Sequence, residues 1–302
     1  MSIHSLTVTP EEIKSRIDVY LTANLPDAPS RSYVQKLIVA GCVTVDGKVI
    51  KSNYKVEDGD KLEVTIPKDF LRQDHIEAEN IPLNIVYEDD FLIVINKPCG
   101  MVVHPAAGNY SGTLVNALLH YTKSLSDLNS EVRPGIVHRL DQETSGLILI
   151  AKDNKTHAKL SAQFQDHKVK KRYVALVEGG VQFDEGQINE PLGRHPKHRE
   201  KQQVSQSDDA REAITFYKVI KRFKNITYIA LFPKTGRTHQ LRVHMAYLHH
   251  SILGDEKYGK KVTFPRLALH AQSIGFTHPG TKRYIEFSIR PPVEFLRAVG
   301  LA

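Results

Sequence analysis

The chain has 302 residues, 41% hydrophobic and 25% charged, with no tryptophan and a formal net charge of +7. Such a length buries a full core and suggests two domains; no apolar run approaches the roughly 18 residues that span a bilayer, and the cationic excess fits a polyanionic partner. Cys42 and Cys99, without metal-ligand spacing, read as free thiols, and Met1-Ser2-Ile3-His4-Ser5 lacks a secretory leader, so a cytoplasmic protein is expected.

In chain order, a first helix is expected from Thr9-Pro10-Glu11-Glu12. Thr9 caps, Pro10 takes the first helical position, Glu12 completes a capping box, and Ile13, Ile17, Tyr20 and Leu21 form the apolar face. A second helix is expected from Ser30, with Val34, Leu37 and Ile38 inward, Arg31, Gln35 and Lys36 outward, and a stop at Gly41. Residues 43–49 alternate around Asp46-Gly47 as a hairpin, and a strand over Lys61 to Ile66 closes this small unit.

Residues 67–80 carry mixed charge without periodicity and read as a linker, with the domain division placed at 1–75 and 76–302. The second domain opens with Ile85-Val86-Tyr87, an acidic turn at 88–90 and a strand from Phe91 to Ile95. Further β-rich runs lie at 147–150, 173–177 and 226–231, and a helix is expected after Asp153 as cap. Strands outnumber helices, which favours an α+β domain over a doubly wound one. Between 152 and 172, Lys152, Lys155, Lys159, Lys168, Lys170, Lys171 and Arg172 face only Asp153 and Asp166. This run is either a solvated helix face or a phosphate-tracking surface.

Three segments are dense in chemistry: Asn96-Lys97-Pro98-Cys99-Gly100 with His104-Pro105; His138-Arg139-Leu140-Asp141-Gln142-Glu143-Thr144-Ser145-Gly146; and Lys234 to His244, continued by Gly254-Asp255-Glu256-Lys257-Tyr258-Gly259. No phosphate-binding Gly-Lys-Ser/Thr loop, nucleophile elbow or His-Glu-x-x-His pattern occurs, so a metal-free site built on Asp141 is expected. An aspartate serves as nucleophile or base when a cation keeps it ionised, and Arg237 or Arg242 can bring that cation from a distant segment. On spacing alone, Asp141 reads equally well as a turn residue bonding the amide of Thr144 or Ser145.

The motif around Asp141, with Asn96-Lys97-Pro98, Gly236 to Arg242, Leu269-His270-Ala271 and Phe276-x-His278-Pro279, resembles the large ribosomal-RNA family of pseudouridine synthases. Residues 81–106 further resemble its D-type branch. In the first unit, Arg16-Ile17-Asp18, Ser30-Arg31-Ser32, Val34-Gln35 and residues 43–47 resemble the alpha-L RNA-binding module of a small-subunit ribosomal protein. The resemblance implies an α+β chain: an alpha-L module, then a mixed, mostly antiparallel catalytic sheet. It also implies cofactor-free isomerisation of uridine in large-subunit ribosomal RNA; separately, a monomer is expected. Asp141 falls on the catalytic aspartate, Tyr173 on the stacking tyrosine, Arg242 on the guanidinium that keeps the carboxylate ionised, and Leu241 on the apolar wall. Arg139 would enter beside the extruded base, and RNA contact is expected of Arg31, Gln35, Lys36, Lys48, Lys170, Lys171 and Arg172. Departures are the short 260–266 connection, Ser251 where proline is usual, and Gln142-Glu143 in place of Lys-Asp. The rival reading is a non-catalytic RNA-binding assembly factor.

Overall fold

A computed structural model of the chain describes residues 2–10, 13–25, 31–67, 76–105, 109–128, 133–259 and 264–300. The chain divides into two compact units, Met1–His75 and Ile76–Ala302.

The first unit sets helices α1 (Ile17–Asn24) and α2 (Arg31–Val39) against an antiparallel sheet ordered β1-β4-β2-β3. Its strands are β1 (Ser2–Thr7), β2 (Val43–Val45), β3 (Lys48–Val49) and β4 (Lys61–Ile66). Ile17, Leu21, Val34, Leu37, Val43 and Val64 are fully buried in its core. The hairpin turns where Asp46 and Gly47 both take positive φ, the conformation that Asp-Gly favours. Two expectations are corrected. The first helix starts at Ile17, because Lys14 turns left-handed at φ 68° and Ile13 is 42% exposed rather than part of the apolar face. Glu11, Glu12 and Ser30 lie outside the described residues. Arg31 and Gln35 both bend back onto Asp18: Arg31 Nε and Nη2 donate to Oδ2 at 3.1 and 3.0 Å, and Gln35 Nε2 donates to it too, while Arg16 takes Oδ1 at 3.0 Å. Burial opposes the charge on Asp18, but bonds from Arg16, Gln35 and Arg31 outweigh it and hold the carboxyl well below the usual range.

The second unit is a nine-stranded sheet ordered β5-β6-β7-β14-β8-β13-β12-β9, with β15 also on β14. The strands that frame the site are β5 (Ile85–Glu88), β6 (Leu92–Lys97), β7 (Ser145–Ala151), β8 (Lys170–Glu178), β9 (Glu185–Asn189), β12 (Ile214–Arg222), β13 (Ile226–Pro233), β14 (Leu269–Thr277) and β15 (Tyr284–Ser288). A separate hairpin joins β10 (Leu192–Arg194) and β11 (Gln202–Val204). Among the described residues of this unit every strand pairing is antiparallel except β7 with β14. Strands β6 and β7 read as near-continuous apolar runs because both faces are covered. Ile93, Ile95, Ile148 and Ile150 pack with Leu114 and Leu118 of α3 (Leu114–Tyr121). Leu92, Val94, Leu147 and Leu149 face the other way, onto Leu160 of α4 (Asn154–Gln165). Asp153 caps α4 as expected, accepting from the Thr156 amide at 2.9 Å.

The cationic run does not form one face. Lys152 pairs with Glu88 at 3.0 Å, Lys159 donates to the Pro279 carbonyl, and Lys168 pairs with Asp166. On β8 the alternation of side chains divides the remaining cations between the two faces of the sheet.

Candidate active site

The Asp141 loop runs into β7, which begins at Ser145. Gly146 sits at φ +115° against β14, where a Cβ would lie 2.2 Å from the Ala271 carbonyl oxygen, so only glycine lets the two strands pair. The loop is held from beneath by Lys97, which is fully buried at the end of β6. Its Nζ donates to the carbonyls of Pro98 and Met101 at 2.8 Å and of Gln142 at 3.2 Å. The Gly100 amide donates to the same Gln142 oxygen at 2.8 Å, and Cys99 Sγ donates to the Glu143 carbonyl. Burial pushes the Lys97 ammonium down to about 8. On the other flank the Leu149 amide donates to His138 Nε2 at 2.9 Å, and the ring stacks on Phe164. Burial pushes His138 down to about 3, so the imidazole is neutral and its proton sits on Nδ1.

Asp141 is thereby presented to a cleft of about 670 Å³ that is also lined by Arg139, Tyr173, Leu241 and Arg242. The loop bonds through backbone, Thr144 N–H to Asp141 O at 3.1 Å, and the Asp141 carboxylate has no hydrogen-bond partner among the described residues. The turn-residue reading, in which the side chain bonds the Thr144 or Ser145 amide, is not the arrangement found. Tyr173 is pushed well above the usual phenol range, by burial and then by the charge of Asp141, and so keeps its proton.

Arg242, on α5 (Gln240–Tyr247), is 2% exposed. Its Nε and Nη2 each donate to Asp255 at 2.8 Å, and Nη1 to Glu143 at 3.3 Å. Its guanidinium lies over the Tyr258 ring, and the Asp255 bonds and charge outweigh burial and raise its affinity for the proton further. Neither Arg242 nor Arg237 forks onto Asp141: Arg237 Nε donates to the Glu212 carbonyl. Arg242 therefore acts on Asp141 as a nearby charge, carried by a carboxylate pair. Asp255 and Glu143 are the residues that sequence reasoning passed over as partners, although both stood in segments already noted for their density of polar groups.

Gln240 shapes the opposite wall, its amide oxygen accepting from Thr235 Oγ1 and the Arg237 N–H and its nitrogen donating to Ile214 O and Thr215 Oγ1. Lys171 also lines the cleft, with Nζ on the Thr235 carbonyl at 3.3 Å, and burial pushes it down to about 8. Lys170 and Arg172 fall outside the cleft. Arg31, Gln35, Lys36 and Lys48 lie in the first unit, with Lys36 and Lys48 exposed. Among the described residues no group of three or more His, Cys, Asp or Glu side chains is placed to hold a metal ion, and no helix is long and apolar enough to cross a membrane.

The arrangement offers a carboxylate without a hydrogen-bond partner among the described residues, a protonated phenol and a fixed cation around a partly apolar space. A model of the RNA pseudouridylate synthase family matches residues 91–247, and a model of the S4 domain matches residues 15–62. The chain is 41% identical over 296 residues to an uncharacterized RNA pseudouridine synthase of Bacillus subtilis, covering 97% of this chain and 96% of that one. It is 42% identical over 305 residues to the ribosomal large subunit pseudouridine synthase D of Zymomonas mobilis, covering 97% and 95%. Among solved structures, human RNA pseudouridylate synthase domain containing 4 superposes with a TM-score of 0.58 at 25% identity, over 72% of this chain and 93% of that one. With matches of this extent over both units, the chain belongs to the RNA pseudouridine synthase family and carries an S4 RNA-binding module ahead of its synthase domain.

Proposed function

We propose that the protein isomerises specific uridines of large-subunit ribosomal RNA to pseudouridine in the cytoplasm, acting as a monomer, with unit 76–302 catalytic and unit 1–75 binding RNA. The observation that carries this reading is the Asp141 carboxylate, held by its backbone and without a hydrogen-bond partner among the described residues, in a cleft that Tyr173 also lines.

The reaction breaks the bond between ribose carbon 1 and uracil N1 and makes one from carbon 1 to uracil carbon 5. The carbon 5 proton leaves and N1 gains one, so atoms balance without a cofactor. Asp141 supplies the carboxylate at the ribose, adding at carbon 1 or taking the proton of carbon 2. Arg242 supplies a fixed positive charge near the reacting carboxylate. Tyr173 offers a ring on which the detached uracil stacks and a hydroxyl in reach of its carbon 5 proton, while Leu241 excludes water. The uridine must leave its stack, at a cost of a few kcal/mol, and Arg139 at the lip of the cleft takes its place. Arg31, Gln35, Lys36 and Lys48 engage RNA from the first unit; Arg31 remains about half exposed while it holds Asp18.

The test is pseudouridine mapping by carbodiimide primer extension on unmodified large-subunit ribosomal RNA. Wild type forms pseudouridine at defined positions and Asp141→Asn forms none. Product from Asp141→Asn at the wild-type rate removes Asp141 from the chemistry, and no product from wild type on any RNA leaves the RNA-binding assembly factor as the reading.

A further inference from the structure

A second concavity, of about 290 Å³, lies beside the catalytic cleft and is lined by Lys170, Arg172, Phe216, Phe232 and Lys234. Successive strand residues point to opposite faces. On β8, Tyr173 lines the cleft whereas Lys170 and Arg172 line this groove, so the two concavities occupy opposite faces of one sheet. They meet at the strand ends, because Lys171 near the start of β8 and Pro233 at the end of β13 line both. Phe216 of β12 and Phe232 of β13 are register partners and present adjacent rings to the groove. Phe216 is 42% exposed, so its ring is open to a ligand. Around the pair the charge is positive. Arg172 is bonded to the neutral Gln272 and Lys170 lies over the Tyr284 ring; no carboxylate bonds or pairs with Lys170 or Lys234 among the described residues. The single acid of the lining, Glu286, accepts from the Tyr284 hydroxyl.

We infer that this groove is a single-stranded RNA subsite, in which a nucleotide flanking the target uridine stacks on Phe216 and Phe232 while Lys170 and Lys234 hold its phosphates. The inference rests on the RNA-modifying reading above and extends it around the rim of the sheet. Aromatic faces flanked by unpaired cations are what a base and its phosphate require. Protein-docking surfaces, by contrast, are depleted in lysine at their centre. The volume of about 290 Å³ lies at the lower limit of small-ligand sites, the scale of one base. Continuity with the cleft through Lys171 and Pro233 gives the strand a path: the target base enters on the Tyr173 face, and its neighbour folds over the strand ends onto the Phe216 face.

Two probes test this with the full chain: a labelled single-stranded oligouridylate for affinity, and unmodified large-subunit ribosomal RNA for KM and single-turnover rate. Phe216→Leu keeps the apolar bulk but loses the ring, and it weakens oligouridylate binding and raises KM by roughly tenfold, with little change in the saturated single-turnover rate. Phe216→Trp restores both. A change below twofold in Phe216→Leu, or an equal loss in the leucine and tryptophan variants, overturns the subsite. Independently, Lys170→Ala combined with Lys234→Ala lowers the salt slope of oligouridylate binding by about 1.4, at about 0.7 per phosphate contact on a single strand; an unchanged slope also overturns it. If wild type binds the oligouridylate yet makes no pseudouridine, the enzymatic reading fails while the binding arms still decide the groove.

Discussion

The Arg242–Asp255 pair allows the structural and the electrostatic work of Arg242 to be separated. Both side chains are at most 2% exposed and share two bonds of 2.8 Å. Asp255→Leu strands the guanidinium with Glu143 alone, at 3.3 Å and partly in solvent. Breaking a buried pair on one side costs about 3–5 kcal/mol, a large share of the roughly 5–15 kcal/mol of a typical domain. Arg242→Met strands Asp255 similarly. Removing both charges is nearly neutral for the pair itself, but Asp255 Oδ1 also accepts from the Lys257 and Tyr258 amides at 3.0 Å. The double variant therefore retains a deficit of about 1–3 kcal/mol from those orphaned donors. Urea unfolding of wild type, both single variants and the double gives the cycle, with the double expected to be more stable than Asp255→Leu. Activity does not follow stability. Without Arg242 the carboxylate of Asp141 has lost its nearby fixed cation, and the single-turnover rate of the double falls by roughly a hundredfold, the scale of one preorganised charge. A double variant that recovered wild-type turnover along with its stability would refute the electrostatic role and reduce Arg242 to a strut.

Further expectations follow from the same geometry. Burial pushes His138 down to about 3, and His104 and His270 down to about 4, against an unfolded value near 6.5. Folded pKa values below the unfolded ones mean that their contribution is present above pH 6.5 and is lost as pH falls toward 4 and then 3. Acid unfolding thus begins well above the carboxylate range, and His138→Gln should reduce proton uptake on unfolding near pH 5 by about one proton, measured by the pH dependence of urea midpoints; an unchanged dependence refutes the assignment. Lys97→Met releases the Gln142 carbonyl from its ammonium and should lower kcat by roughly ten- to a hundredfold with a smaller effect on KM, while hydrogen exchange of amides 139–144 quickens. Arg139→Ala should weaken RNA engagement without altering the fold; unchanged affinity and single-turnover rate would remove it from base extrusion.

What was legible in the sequence was whatever periodicity and local turn chemistry encode. The apolar runs of β6 and β7, the Asp46-Gly47 hairpin and the Asp153 cap all carry short-range signatures. The start of α1 was misread because Thr9-Pro10 imitates a helix entrance, while the left-handed turn at Lys14 has no glycine to announce it. Strand β1 passed unnoticed since its burial is shallow, with Ile3 60% exposed. At the site, Asp141 and Arg242 stood in segments dense in polar groups, whereas Tyr173, on an alternating strand, was marked only by the family resemblance. Lys97-Pro98 reads from the sequence as the floor of the cleft, but the particular bonds of Lys97 could not be read there, because its acceptors are backbone carbonyls that any residue supplies. The pairing of Arg242 with Asp255 lies across a turn of the fold that no spacing rule specifies. The division of Lys170 and Arg172 from Lys171 and Tyr173 was implicit in strand alternation, but needed the neighbouring strands to give each face a meaning.

The parallel pairing of β7 with β14 has a consequence for how the cleft is put together. Strands β5, β6 and β7 are neighbours in sequence as well as in space, and β8, β12, β13 and β9 pair within residues 170–233. Each half can therefore form from contacts of modest sequence separation, the kind that close early. Between them lies β14, whose His270 and Ala271 meet Ser145 and Gly146 only after more than a hundred intervening residues. Asp141 is on one side of this seam and Tyr173 on the other, so the cleft is complete only when β14 has joined the two halves.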